Sequence, residues 1–100
     1  MHFLNEHSSW VEIDLSAIEK NVRIIKTLTG ANVMAVVKAN AYGHGAIPVA
    51  NAAIKGGATW LGVARIEEAL ELRNAGFKQN IFVLGYIPPA HYKSAVDNQI

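Results

Sequence analysis

One hundred residues suffice for a single small domain, and a chain that is 51% hydrophobic and 17% charged has the balance of a folded globular segment, not of a disordered one. A formal net charge of +1 with both signs scattered offers no electrostatic footprint for nucleic acid or an acidic membrane surface, and no apolar run approaches the roughly 20 residues of a membrane helix. Without cysteine there is no disulfide, thiol nucleophile or thiolate metal ligand, and the N-terminus, which carries Glu6, lacks the basic and apolar pattern of a signal peptide; the expected compartment is the cytoplasm.

Taken in chain order, the pattern alternates strand and helix. Residues 10–13 read as a short strand. Ser16-Ala-Ile-Glu19 has the spacing of a capping box, Ile18, Val22, Ile25 and Leu28 form one apolar helical stripe, and Gly30 supplies the stop. A strand over 33–38 follows, then a helix over 46–55 with Pro48 in its first turn and Gly56-Gly57 at its end. The segment 60–63 is the next strand. The helix over 66–74 opens with Glu67 and Glu68 and closes with Arg73, matching the helix dipole, before Gly76. A strand over 81–84, a loop over 85–89 and a helix over 90–97 complete the chain.

Strands alternating with helices imply an α/β fold with a parallel sheet, either doubly wound or closed into a (β/α)8 barrel. A barrel takes eight strands and about 250 residues, so the chain is expected to be the opening portion of one, a fragment of a longer protein. Residues 1–100 are accordingly read as one incomplete barrel domain.

Lys38 is the residue that asks for a chemical explanation. The five residues before it are apolar, Val33-Met-Ala-Val-Val37, and glycine-bearing loop follows. Such a lysine stands on the carboxyl rim of a parallel sheet, where α/β folds place their chemistry. With two-residue alternation it shares a face with Met34 and Val36. If that face lines the barrel, desolvation lowers the pKa of the amine and frees the neutral nucleophile that a Schiff base requires. Taken alone, a strand-ending lysine more often just reaches solvent.

The longer run Ala35-Val-Val-Lys-Ala-Asn-Ala-Tyr-Gly-His-Gly45 resembles the pyridoxal-phosphate (PLP) attachment motif of the alanine racemase family. The resemblance extends to Trp10-Val-Glu-Ile-Asp-Leu15, Asn21-Val22, Gly62-Val63-Ala64, Glu67-Glu-Ala69, Leu72-Arg73 and Val83-Leu84-Gly85. It implies an N-terminal (β/α)8 barrel followed by a C-terminal β domain, a homodimer, and interconversion of L- and D-alanine for peptidoglycan synthesis. It further implies that Lys38 is both the covalent anchor of the cofactor and the base acting on D-alanine, and that Tyr42 hydrogen-bonds the cofactor phosphate. The second base, a tyrosine of the partner subunit's C-terminal domain, and the arginines that hold the pyridine nitrogen and the substrate carboxylate come later in the family's chain. The same motif admits a broad-specificity or serine racemase of the same fold and a non-catalytic PLP-homeostasis protein, although the usual lysine motif of the last differs.

Other candidates carry less. Gly43-His-Gly45 superficially matches a dinucleotide fingerprint, but its sixth position is Pro48 and no acidic residue follows at the required strand end. His44 reads as a loop-packing residue with a cofactor-side hydrogen bond as the alternative, and Arg65 has no motif behind it. His2, His7, His44 and His91 lack ligand spacing, so no metal site is expected. Glu67 and Glu68, adjacent on a helix start, read as dipole partners and not as a catalytic pair. Trp10, Trp60 and Tyr86 read as core or rim aromatics.

Overall fold

The computed structural model describes residues 12–100. Three parallel strands, β1 (Met34–Val36), β2 (Trp60–Val63) and β3 (Asn80–Val83), lie side by side in sequence order. The helices are α1 (Leu15–Thr29), α3 (Ala46–Gly56), α4 (Ile66–Asn74) and α5 (Tyr92–Asp97), the last entered through a 3-10 turn at Pro89–His91; α2 (Lys38–Tyr42) is a single turn of a different kind, described below. Met34, Trp60 and Asn80 form one row across the sheet, Ala35, Leu61 and Ile81 the next, and Val36, Gly62 and Phe82 the third.

Alternation along the strands separates two unlike faces. Val37, Leu61, Val63 and Ile81 are buried against Ala50, Ile66, Ala69, Leu72, Phe77 and Ala95 of the helical layer and its loops. Val36, Phe82 and Leu84, on the opposite side, are 39%, 47% and 48% exposed. A doubly wound sheet needs helices on both faces, whereas a sheet in the order β1-β2-β3 with its core on one face is wound in one direction, as a barrel wall is. The choice that periodicity leaves open is made by this one-sidedness.

Several predicted boundaries shift for identifiable reasons. Of the expected strand at 10–13, residues 10 and 11 lie outside the described residues, and Glu12 and Ile13 have no regular structure. Helix α1 begins one residue before the expected Ser16: Asp14, in extended conformation, accepts the Ala17 N–H at 3.0 Å and is the true cap. Strand β1 ends at Val36, short of Lys38, because Val37 turns out of extended geometry (φ −117°, ψ 23°). The expected helix at 90–97 is divided between the 3-10 turn Pro89–His91 and α5.

Helix α1 is held mainly by α3. Its apolar stripe is used only in part: Ile18 and Val22 are half-buried, while Ile25 and Leu28 remain 49% and 80% exposed. Gly56 permits the contact, since a Cβ there would run into the Glu19 carbonyl and the Val22 side chain. Arg23 adds a polar tie, its guanidinium donating to the Glu19 carboxylate at 2.9 Å and the Lys55 carbonyl at 3.1 Å. Across the molecule, Arg73 donates to the carbonyls of Phe77, Gln79, Asn98 and Gln99 at 2.7–2.9 Å, joining the end of α4 to the start of β3 and the end of α5. Replacing Gly56 by Ala should cost about 1–3 kcal/mol of stability through overpacking of α1 on α3. The measurement is the urea midpoint, which should fall without a change in cooperativity.

Candidate functional site

Lys38 and Tyr42 stand together at the carboxyl end of β1, brought there by an uncommon piece of backbone. Ala39, Asn40, Ala41 and Tyr42 all adopt positive φ, between 51° and 56°, making α2 a turn of left-handed helix. For an L-residue other than glycine this basin costs about 1–2 kcal/mol, asparagine being the most tolerant of the types present. The turn therefore has to be held, and the structure shows what holds it.

Within the segment, the Ala41 N–H donates to the Val37 carbonyl at 2.9 Å, the Gly43 N–H to those of Ala39 and Asn40, the His44 N–H to that of Ala41, and the Gly45 N–H to that of Asn40 at 2.8 Å. Gly43 and Gly45 continue at φ 89° and 92°, where side chains are strongly disfavoured. Asn40 Oδ1 accepts the Ala46 N–H at 2.8 Å and so caps α3 from six residues away. His44 Nδ1 lies 2.9 Å from the Ala41 carbonyl. A carbonyl only accepts, so Nδ1 carries a proton and the ring serves the loop. This matches the loop-packing reading of His44.

Among the described residues, one side chain from outside the segment hydrogen-bonds into it. The Glu68 carboxylate accepts the Ala39 N–H on Oε2 at 2.6 Å, and the Ala64 and Arg65 N–H groups on Oε1 at 2.8 and 2.9 Å. Burial by itself would raise the pKa of this carboxyl, but the backbone donors of Ala39, Ala64 and Arg65 and the nearby Arg65 charge hold it below its ordinary value of 4.5. Glu68 is thus more than the helix-dipole partner expected from sequence. The signal was its place three residues after Arg65, the acceptor position of a capping box, obscured because the cap residue is an arginine and not Ser or Thr. Glu67, by contrast, faces solvent and pairs loosely with Arg65 at 3.7 Å. A cleft of about 370 Å³ opens beside Glu68, lined also by Val37, Asn40, Val63, Glu71 and Leu72, and keeps the carboxylate within reach of water.

Lys38 is half-buried and Tyr42 is 64% exposed. The Lys38 Nζ sits 5.9 Å from the centroid of the Tyr42 ring, at the outer range of a cation–π contact, and no carboxylate among the described residues pairs with it. The result is a primary amine and a phenol on one rim, with the local carboxylate turned away toward backbone donors. Among the described residues no three His, Cys, Asp or Glu side chains gather as a metal site would require, and no helix is long and apolar enough to cross a membrane.

Because the Glu68 pKa is depressed on folding, its stabilising contribution is complete above the unfolded value and is lost as pH falls through the lower folded value. Protection factors for hydrogen exchange at the Ala39, Ala64 and Arg65 amides should therefore hold down to the ordinary glutamate range and fall together below it. Separate loss of protection at the three sites would contradict their sharing one carboxylate.

Comparison with known proteins fits these observations to a family. The alanine racemase N-terminal domain family matches residues 13–100. Alanine racemase of Symbiobacterium thermophilum is 51% identical over 89 residues, covering 88% of this chain and 24% of that protein. Among solved structures, alanine racemase from Bacillus anthracis with bound L-Ala-P superposes with a TM-score of 0.85 at 49% identity, over 89% of this chain and 24% of that one. Histidine racemase from Leuconostoc mesenteroides is also similar, with a TM-score of 0.81 at 42% identity, over 86% of this chain and 23% of its own. The chain spans about a quarter of the length of the relatives it matches, and its α/β fold corresponds to the N-terminal portion of their barrel domain. This chain belongs to the alanine racemase N-terminal domain family.

Proposed function

We propose that the chain is the cofactor-anchoring opening of the barrel domain of a PLP-dependent alanine racemase, with Lys38 as the covalent attachment point and Tyr42 as a ligand of the cofactor phosphate. The observation that supports it most is the Lys38 amine, free of any carboxylate among the described residues, beside the Tyr42 phenol on the carboxyl rim. This donor set fits PLP. Its aldehyde needs a primary amine, its phosphate needs a donor that is not an anion, and Glu68, the carboxylate bound at Ala39, points its oxygens at backbone N–H groups. When bound, PLP supplies an aldehyde that condenses with a primary amine, with loss of water, and a ring that takes up the electron pair left when a proton leaves Cα.

The residues of this chain then have distinct tasks. Lys38 tethers the group and, once released, holds or returns the α-proton on one face of the substrate at Nζ. Tyr42 fixes the phosphate end through its hydroxyl. The left-handed turn keeps the two side chains at a constant separation. A second base on the opposite face completes racemisation; in the family pattern it is a tyrosine of a partner subunit, which extends the reading to a homodimer. Cytoplasmic supply of D-alanine for peptidoglycan is the accompanying role. A racemase acting on another amino acid is the second reading, favoured by the 42% identity with a histidine racemase.

Borohydride reduction of the PLP-loaded complete gene product, followed by peptide mass spectrometry, should place the pyridoxyl group on Lys38, and Lys38→Ala should abolish conversion of L-alanine. In the same preparation Tyr42→Phe should weaken cofactor retention by about 2 kcal/mol, the value of a hydrogen bond to a charged acceptor. A pyridoxyl group on another lysine would remove Lys38 from the role, and faster turnover of histidine than of alanine would favour the second reading. Residues 1–100 alone should not racemise: Val36, Phe82 and Leu84 lie open on the sheet face. Production of D-alanine by that chain with PLP, above the level given by free cofactor, would refute this division of labour.

A further inference from the structure

The peptide that joins Lys38 to Ala39 is the hinge on which the direction of the lysine depends, and a side chain from another β/α unit grips it. Ala39 is the first of the positive-φ residues, so the Lys38–Ala39 peptide plane marks the point where the backbone changes hand. Its N–H is donated to Glu68 Oε2 at 2.6 Å, the shortest hydrogen bond around the loop. The other oxygen of the same carboxylate accepts Ala64 and Arg65, the residues that follow β2. One rigid group, 29 residues from Ala39 in sequence, therefore ties together the segments that follow two neighbouring strands.

We propose that Glu68 is a positioning residue for Lys38, fixing the peptide that follows it so that the amine is presented at the rim in one direction. The proposal rests on the reading of Lys38 as the covalent anchor. It goes further by assigning the aim of that anchor to a residue on α4 that does not touch the cofactor. The chemistry is specific to a carboxylate. Three N–H donors converge on it, and a glutamine would offer one acceptor oxygen and direct an NH2 group at a backbone donor. It must then abandon either Ala39 or the Ala64–Arg65 pair. Aspartate keeps the charge but is one methylene shorter, so it can serve its own helix start and not the distant Ala39. The depressed pKa of Glu68 agrees with a carboxylate kept ionised in this role.

The test uses the complete gene product freed of cofactor, with two probes. PLP reports covalent attachment through its visible absorbance and the site of borohydride trapping. Pyridoxine phosphate, which carries an alcohol in place of the aldehyde, reports the pocket without attachment. In Glu68→Gln and Glu68→Asp the rate of PLP attachment at Lys38 should fall about tenfold or more, the loss expected for a hydrogen bond to a charged group. Pyridoxine phosphate affinity should fall much less, because Tyr42 lies on the part of the turn that Asn40 still ties to the start of α3. Glu67→Gln, on the exposed neighbour, should change neither. Equal loss of both probes in the Glu68 variants, unchanged attachment, or failure of both variants to fold would each overturn the positioning role. Wild-type protein that binds PLP without attachment to Lys38 would instead overturn the reading of the anchor itself.

Discussion

The carboxylate of Glu68 is the joint on which the rim of this sheet depends. Left-handed backbone is unfavourable for alanine and tyrosine, and local hydrogen bonds alone would equally satisfy many looser loops. The Glu68–Ala39 contact selects one of them, because it fixes the first peptide of the turn to a helix that is itself packed in the core through Ile66, Ala69 and Leu72. Asn40 does the complementary work at the other end by binding the first amide of α3. Between these two clasps the chain has little room, and the separation of Lys38 from Tyr42 follows from it. Removing either clasp would hand its exposed N–H groups to water and, at Glu68, leave the half-buried Ala64 N–H short of an acceptor, so the tie that selects this turn would be lost.

The sequence made the layers and the order of elements readable, because those rest on periodicity and on punctuation by glycine and proline. The helix at 66–74 and the strand at 60–63 match the structure in both bounds. What was illegible depended on contacts between distant residues or on competition between neighbours. Asp14 displaces Ser16 as a cap because two good acceptors adjoin the same helix start, and propensity alone does not rank them. The end of β1 moves from Lys38 to Val36 because the following turn is left-handed, a conformation that Ala-Asn-Ala-Tyr does not advertise. Glu68 was visible only as one of two acidic residues at a helix start, its partner at Ala39 being 29 positions earlier. Lys38 was legible as the candidate residue from its motif, while the Glu68 contact that supports the backbone beside it was not.

The unequal faces of the sheet explain why so small a chain has a definite architecture. Small residues do much of the packing: Ala50, Ala53 and Ala69 are essentially fully buried, and Gly62 lets Met34 and Val36 approach β2 on the open face, where a Cβ would lie 2.8 Å from the Met34 sulfur. Close approach on one side and alanine-rich packing on the other bring the strands and helices near one another. The apolar groups left on the open face are those that a closed barrel would place in its interior layers.

The four successive positive φ angles of α2 bear on how the site can move. Left- and right-handed basins are separated by sterically forbidden territory, and residues with a Cβ cannot linger between them. A glycine loop could drift by small increments, carrying its side chains with it. This turn cannot: it either stays in its basin or crosses over in a concerted jump that breaks the contacts at Ala39, Asn40 and Ala41 together. The backbone that follows Lys38 therefore changes in steps and not by drift, so that stiffness arises from chirality where a tighter core would otherwise be required.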